Sequence, residues 1–204
     1  MNSTSIVSLA IALFVLAVTP GPGVLATVGR SLSSGFKPAA FFILGILFGD
    51  LFFLSFAILG LGVVATAMGK FFIIIKILSG GYLVFLGGKL LINPPEKLNL
   101  VAQQSEGLTF KNTLAGFGLT LSNPKTILFY VSFLPTFMNV TLFNLNDYFI
   151  ASTEVFLIIG GVLLSYAYLT GFVRKFISNQ KIMRRMNRTS GALLVGVGIA
   201  VVAK

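Results

Sequence analysis

The chain alternates between long apolar stretches and short segments in which the Lys and Arg residues collect. Six apolar stretches are apparent, at approximately Ile6–Gly29, Ala39–Ala67, Phe71–Ile92, Thr113–Phe137, Tyr148–Val173 and Thr189–Ala203. An α-helix needs about 20 apolar residues to cross a bilayer, and most of the stretches have that length. The pattern therefore predicts an all-α membrane protein with six transmembrane helices.

The basic residues predict how these helices are oriented. Eleven of them lie in or beside the first, third and fifth loops, whereas the second and fourth loops hold only Lys70. Because basic loops stay in the cytoplasm, we expect both termini outside the cytoplasm, in a multi-pass protein of the cell inner (plasma) membrane. The basic loops, including the segment Ser178–Arg188, would then contact anionic lipid headgroups at the cytoplasmic face.

The third loop divides a single transmembrane domain, residues 1–204, into two halves. Pro94-Pro95 ends the third helix, and the polar segment at about 93–112 follows it. Repeat one is then about 1–92 and repeat two about 113–204. Three helices per half force the second half to insert in the opposite orientation, which predicts two inverted three-helix repeats.

Two features of the halves match at one spacing. Thr19-Pro20 and Asn123-Pro124 are 104 residues apart, and so are Asp50 and Glu154. Little else aligns at this offset, so coincidence remains an alternative to a true internal repeat.

The first helix contains the sequence Thr19-Pro20-Gly21-Pro22-Gly23. Proline lacks an amide hydrogen and clashes with the preceding turn, so a regular helix cannot continue through this segment. We expect Thr19 to cap a new half-helix that starts at Pro20. Backbone groups freed in a membrane need partners or a polar cavity, although a simple kink relieved by packing is the alternative.

The fourth helix contains a second break, at Asn123-Pro124-Lys125. Asn123 suits the cap of a half-helix and Pro124 its first position. Lys125 then lies near the bilayer centre, where a lysine requires a partner or a function. We expect the two breaks to line one cavity, where the positive ends of the half-helices could bind an anionic group.

Two acidic residues are candidates for coupling to protons or cations. Asp50 lies in the middle of the second helix and has no basic neighbour in sequence. It could form a static salt bridge with Lys125, or bind a proton, a cation or a substrate ammonium group. Glu154 lies about two turns inside the fifth helix, where an interfacial carboxylate and a functional one are equally consistent with the sequence. Gly45 and Gly49 are spaced for close packing between helices.

Composition excludes several functions. The chain has no Cys and no His, which rules out disulfides and histidine proton relays and disfavours soft-metal sites. We predict no cofactor, no metal and no enzymatic activity, since no nucleotide-binding or hydrolase motif is present. The net charge of +10 does not indicate nucleic acid, because the basic residues lie between apolar helices.

With these motifs the sequence resembles the LysE/RhtB family of amino-acid exporters. The similar stretches are Thr19–Gly23, Gly45–Asp50, Gly81–Gly87 and Asn123–Lys125 with Phe129 and Pro135. The resemblance implies export of amino acids from the cytoplasm, driven by the proton gradient. It places function on Pro20, Gly21, Pro22, Gly23, Asp50, Asn123, Pro124 and Lys125. A passive channel for small solutes or ions is the alternative, and a homo-oligomer is compatible with the sequence.

Overall fold

The computed structural model describes residues 1–67, 109–134, 144–170 and 179–203, together with individual positions between 77 and 92. The regular structure in these residues is helical. Most of the predicted third helix, Phe71–Ile92, and most of the loop at 93–112 lie outside the described residues. At Gly87, however, a Cβ would meet the carbonyl oxygen of Gly191, so the third and last helices pack closely there.

The predicted first helix is two helices. α1 covers Ser3–Val18 and α2 covers Pro22–Ser34, and their axes differ in direction by 54°. α2 ends at Gly35, whose φ of 89° lies in the left-handed region that only glycine adopts readily. The chain can therefore reverse at once into α3, Phe36–Ala67, which begins three residues before the predicted second helix.

α3 packs most closely on α4, which covers Thr109–Leu121. A Cβ placed on Gly45 would fall on the carbonyl of Thr113, and one placed on Gly116 would fall on the carbonyl of Phe42. Glycine at both positions brings the two backbones into contact, as the spacing of Gly45 and Gly49 predicts. Because the contacts advance together along both helices, α3 and α4 run parallel.

The second half is interrupted at several points. α5, Pro124–Leu128, continues into a π-helical segment at Phe129–Phe133. α6, Leu145–Glu154, continues through the π-helical segment Val155–Gly160 into α7, Gly161–Tyr168. α6 starts at Leu145 because the Asn144 side chain accepts a hydrogen bond of 3.0 Å from the Asp147 amide.

The final helix is longer than predicted. α8 covers Gln180–Ala203, nine residues earlier in its start than the predicted Thr189. The Asn179 side chain accepts from the amides of Lys181 and Ile182, and no proline or glycine occurs between Gln180 and Ser190. The basic residues predicted to form a separate interfacial segment are thus the first turns of this helix.

Some of the described helices have the length and composition of membrane spans. Phe36–Ile58 and Leu145–Tyr168 are sufficiently apolar, and the bent pair α1–α2 counts as a third span. The Met1 amino group pairs with the Asp147 carboxylate, so α1 and α6 start at the same face. The Ser31 hydroxyl donates to the Ala167 carbonyl at 2.7 Å, so α2 and α7 approach the opposite face together. The inverted repeat of six helices itself stays a prediction.

Candidate functional site

The first break has a different geometry from the predicted one. Thr19 ends α1, and its hydroxyl donates to the Val15 carbonyl at 2.5 Å instead of capping the next helix. Gly21 is the N-cap of α2 in an extended conformation, and Pro22 is the first helical residue. The prediction that Thr19 caps a half-helix starting at Pro20 is therefore wrong by two residues, because the second proline is the one placed at the helix start.

The two prolines leave two carbonyl groups of α1 without their usual donors. In a continuous helix the Leu16 carbonyl would accept from residue 20 and the Val18 carbonyl from residue 22, but proline has no amide hydrogen. The Lys125 Nζ donates to the Leu16 oxygen at 2.7 Å and also to the Thr19 oxygen at 2.9 Å. The Tyr166 hydroxyl donates to the Val18 oxygen at 3.1 Å. Side chains from the second half thus supply the hydrogen bonds that these carbonyls of the first break would otherwise lack.

The second break follows the predicted geometry, and neighbouring residues supply its hydrogen bonds. Asn123 caps α5, its side chain accepts from the Lys125 amide at 3.2 Å, and Pro124 is the first helical residue. The Thr120 carbonyl, which would have accepted from residue 124, accepts from the Asn123 amide at 3.1 Å. The Ser122 hydroxyl donates to the carbonyls of Gly118 and Leu119.

Both breaks and α3 line one cavity of about 50 Å³. Polar groups are contributed by Thr19, Asp50, Thr120, Asn123, Lys125 and Thr126. The aliphatic wall consists of Leu16, Ala17, Val24, Ile46, Leu119, Ile159 and Leu163. The structure thus brings most of the predicted site residues together, with Gly21 and Gly23 among the lining residues. Pro20, Pro22 and Pro124 shape the breaks but do not line this cavity.

Asp50 is 2% exposed and lies at this cavity beside Tyr130. Tyr130 is fully buried, and its hydroxyl faces the carboxyl group without a hydrogen bond of good geometry. The carboxylate is not within 4.0 Å of the Lys125 Nζ, so the static salt bridge is not formed. Lys125 instead uses its ammonium group on carbonyl oxygens at the C-terminal end of α1, where the helix dipole favours a cation.

Glu154 is not part of this cavity. It is the last residue of α6, and one of its carboxylate oxygens is buried without a hydrogen-bond partner among the described residues. The two half-helices start at Pro22 and Pro124, which are 102 residues apart, whereas Asp50 and Glu154 are 104 residues apart. At that offset the counterpart of Asp50 is Ser152 rather than Glu154.

Sequence reasoning missed Tyr130, which lies beside Asp50, and Tyr166, whose hydroxyl donates to the Val18 carbonyl at the first break. A signal for Tyr166 was present, since each proline in a membrane helix requires a replacement donor, but the sequence does not show which side chain supplies it. Tyr130 lies in a π-helical segment, whose irregular register places its side chain where an α-helical periodicity does not predict it.

Comparisons with known proteins found a matching family model and several similar sequences. The chain matches the LysE type translocator family over residues 14–204. It is 36% identical over 199 residues to a membrane protein of Synechocystis sp., covering 98% of this chain and 96% of that protein. It is 31% identical over 190 residues to the leucine efflux protein of Salmonella typhimurium, covering 91% and 88% of the two chains. No solved structure matches it significantly. The channel alternative gains no support from these similarities.

Proposed function

Because this chain belongs to the LysE type translocator family, and is thus a transporter rather than an enzyme, we propose that it exports aliphatic amino acids. The observation that carries the proposal is the single cavity formed by both helix breaks and α3. Charged and polar groups lie beside aliphatic side chains there, as a zwitterion with an apolar side chain requires. The similarity to a leucine efflux protein supports the same substrate class.

We assign opposite ends of the substrate to Asp50 and Lys125. The carboxylate of the amino acid binds at Lys125 and the backbone of the breaks, since broken helices commonly bind anionic groups in transporters. The Asp50 carboxylate receives the substrate ammonium group or carries the coupling proton. Asp50 and Lys125 both line the cavity without pairing with one another, so neither charge is neutralised by the other.

The cavity is too small for a leucine molecule in this conformation. About 50 Å³ holds a few water molecules, whereas pockets for small molecules generally measure about 300 Å³ or more. Export therefore requires the helices around the breaks to separate, first toward the cytoplasm and then toward the outside. Coupling of this cycle to inward proton movement makes the protein an antiporter.

Export is tested with purified protein in liposomes. Vesicles loaded with labelled leucine should release it faster when the outside is more acidic than the lumen, because protons then enter as leucine leaves. Unlabelled leucine outside should drive exchange, which a passive channel does not show. Lysine and glutamate should compete weakly, because the described part of the cavity wall offers their side chains no dedicated partner. Leakage that is independent of the gradient and lacks exchange would exclude antiport.

The orientation is tested by cysteine labelling, because the native chain contains no cysteine. Single cysteines are placed at Ser3, Asn99, Asn144 and Asn179. With both termini outside, an impermeant thiol reagent added to intact cells should label Ser3 and Asn144 only. Labelling at Asn99, a position outside the described residues, would reverse the proposed topology.

A further inference from the structure

The first break depends on donors from outside its own helix. No water is present in the bilayer core to satisfy the carbonyls that Pro20 and Pro22 leave without an amide. Lys125 satisfies one of these carbonyls, at Leu16, and Tyr166 satisfies the other, at Val18. Lys125 lines the cavity, whereas Tyr166 does not.

Helix α7 contacts both arms of the bent pair α1–α2 through consecutive residues. The Tyr166 hydroxyl binds the carbonyl of Val18, the last residue of α1. The next residue, Ala167, accepts a hydrogen bond from Ser31 near the end of α2. One turn of α7 is therefore attached on both sides of the bend of 54°.

We propose that Tyr166 is a positioning residue of the transport site. Its hydroxyl replaces the amide hydrogen that Pro22 removes, and with Ser31 and Ala167 it fixes the angle between α1 and α2. That angle determines where Thr19, Gly21 and Gly23 face the cavity. The proposal rests on the proposed function for the identity of the ligand, but the contact and its effect on the break do not depend on it.

The test removes the hydroxyl and keeps the ring. Tyr166→Phe should lower the melting temperature of the purified protein and raise the leucine concentration for half-maximal export about three- to tenfold, the ratio expected for one hydrogen bond. Tyr168→Phe is the matched control, because Tyr168 is 78% exposed and its ring makes an edge contact with Phe36. It should leave both quantities unchanged.

A second comparison tests the assignment of donor to carbonyl. Pro22→Ala provides an amide hydrogen for the Val18 carbonyl in a continuous helix, whereas Pro20→Ala provides one for Leu16. The loss of melting temperature caused by Tyr166→Phe should largely disappear in the Pro22→Ala protein and persist in the Pro20→Ala protein. If Tyr166→Phe alone does not fold, recovery of folded protein in the double variant with Pro22→Ala is the expected result.

A substrate-independent measurement reports the shape of the break. Gly23→Cys introduces the one thiol of the chain at a cavity position where a Cβ meets no atom within 4 Å. Tyr166→Phe should change its reaction rate with a small uncharged thiol reagent about three- to tenfold, and Tyr168→Phe should not. This measurement does not depend on leucine being a substrate. If leucine is not exported, only the proposed function is overturned, and the role of Tyr166 is still tested.

Three outcomes would overturn the proposal. The first is a Tyr166→Phe protein that matches Tyr168→Phe in melting temperature and thiol reactivity. The second is a loss of melting temperature with no change in thiol reactivity, which would make the hydroxyl structural only. The third is an equal effect of Tyr166→Phe in the Pro20→Ala and Pro22→Ala backgrounds.

Discussion

Gly116→Ala is expected to destabilise the protein by about 1 to 3 kcal/mol, the usual cost of overpacking a close contact. A Cβ at this position would coincide with the Phe42 carbonyl and lie 3.0 Å from the Ile46 amide nitrogen. These are backbone atoms, which cannot rotate away, so α3 and α4 must separate. Gly116→Leu should give no folded protein. Thermal stability in detergent, followed by size-exclusion chromatography, measures both effects.

Gly118→Ala is the matched control for this prediction. Gly118 lies in the same helix, and a Cβ there meets no atom within 4 Å. Because alanine is a better helix former than glycine, this variant should be at least as stable as the wild type. Equal stability of Gly116→Ala and Gly118→Ala would show that α3 and α4 are not in backbone contact.

Asp50→Asn is expected to fold normally and to lose gradient-driven export. The substitution keeps the shape of the side chain and removes the charge that we assign to the substrate ammonium group or the proton. Had Asp50 and Lys125 been a buried ion pair, removing one partner would cost about 3 to 5 kcal/mol. Because their charged groups are not in contact, the double variant with Lys125→Met should show a stability coupling below about 0.5 kcal/mol.

Glu154→Gln provides the comparison for Asp50→Asn. Glu154 does not line the cavity, so its neutralisation should leave the direction and gradient dependence of export intact. Export in reconstituted vesicles is measured beside the yield of monodisperse protein for each variant. Normal export by Asp50→Asn would end the functional assignment of Asp50, and loss of export by Glu154→Gln would restore Glu154 as a coupling candidate.

Local chemistry made parts of this fold predictable from the sequence. Apolar length indicated the spans, and Asn123-Pro124 specified the start of α5 because capping depends on adjacent residues. The glycine spacing at Gly45 and Gly49 indicated a close helix contact, and the contact exists. In each case the determining interaction lies within a few residues of the motif or follows from glycine having no side chain.

The remaining features depend on contacts between distant residues. Two prolines in the first break allowed two possible helix starts, and packing places the start at Pro22 rather than Pro20. A salt bridge between Lys125 and Asp50 was one of the alternatives, but the Lys125 ammonium group donates to carbonyls at the end of α1, more than 100 residues away. Glu154 was matched with Asp50 by a spacing of 104 residues, whereas the two helix starts are 102 residues apart, so the coupling role of Glu154 stays a prediction.

If the helices around the breaks separate during transport, as proposed, the backbone contact between α3 and α4 makes these two helices the ones expected to stay together. Asp50 follows Gly49, which packs on Thr120, so its carboxylate would stay with α3 and α4. Movement of α1–α2 away from α3 and α4 would break the bonds from Lys125 to Leu16 and Thr19. It would also break the bonds from α7 to Val18 and Ser31 unless α7 moves with the pair. A substrate carboxylate would give the Lys125 ammonium group another acceptor, which reduces the free-energy cost of separating these helices. Substrate binding would thereby promote this conformational change, which the hydrogen bonds of Lys125 oppose in the unloaded protein.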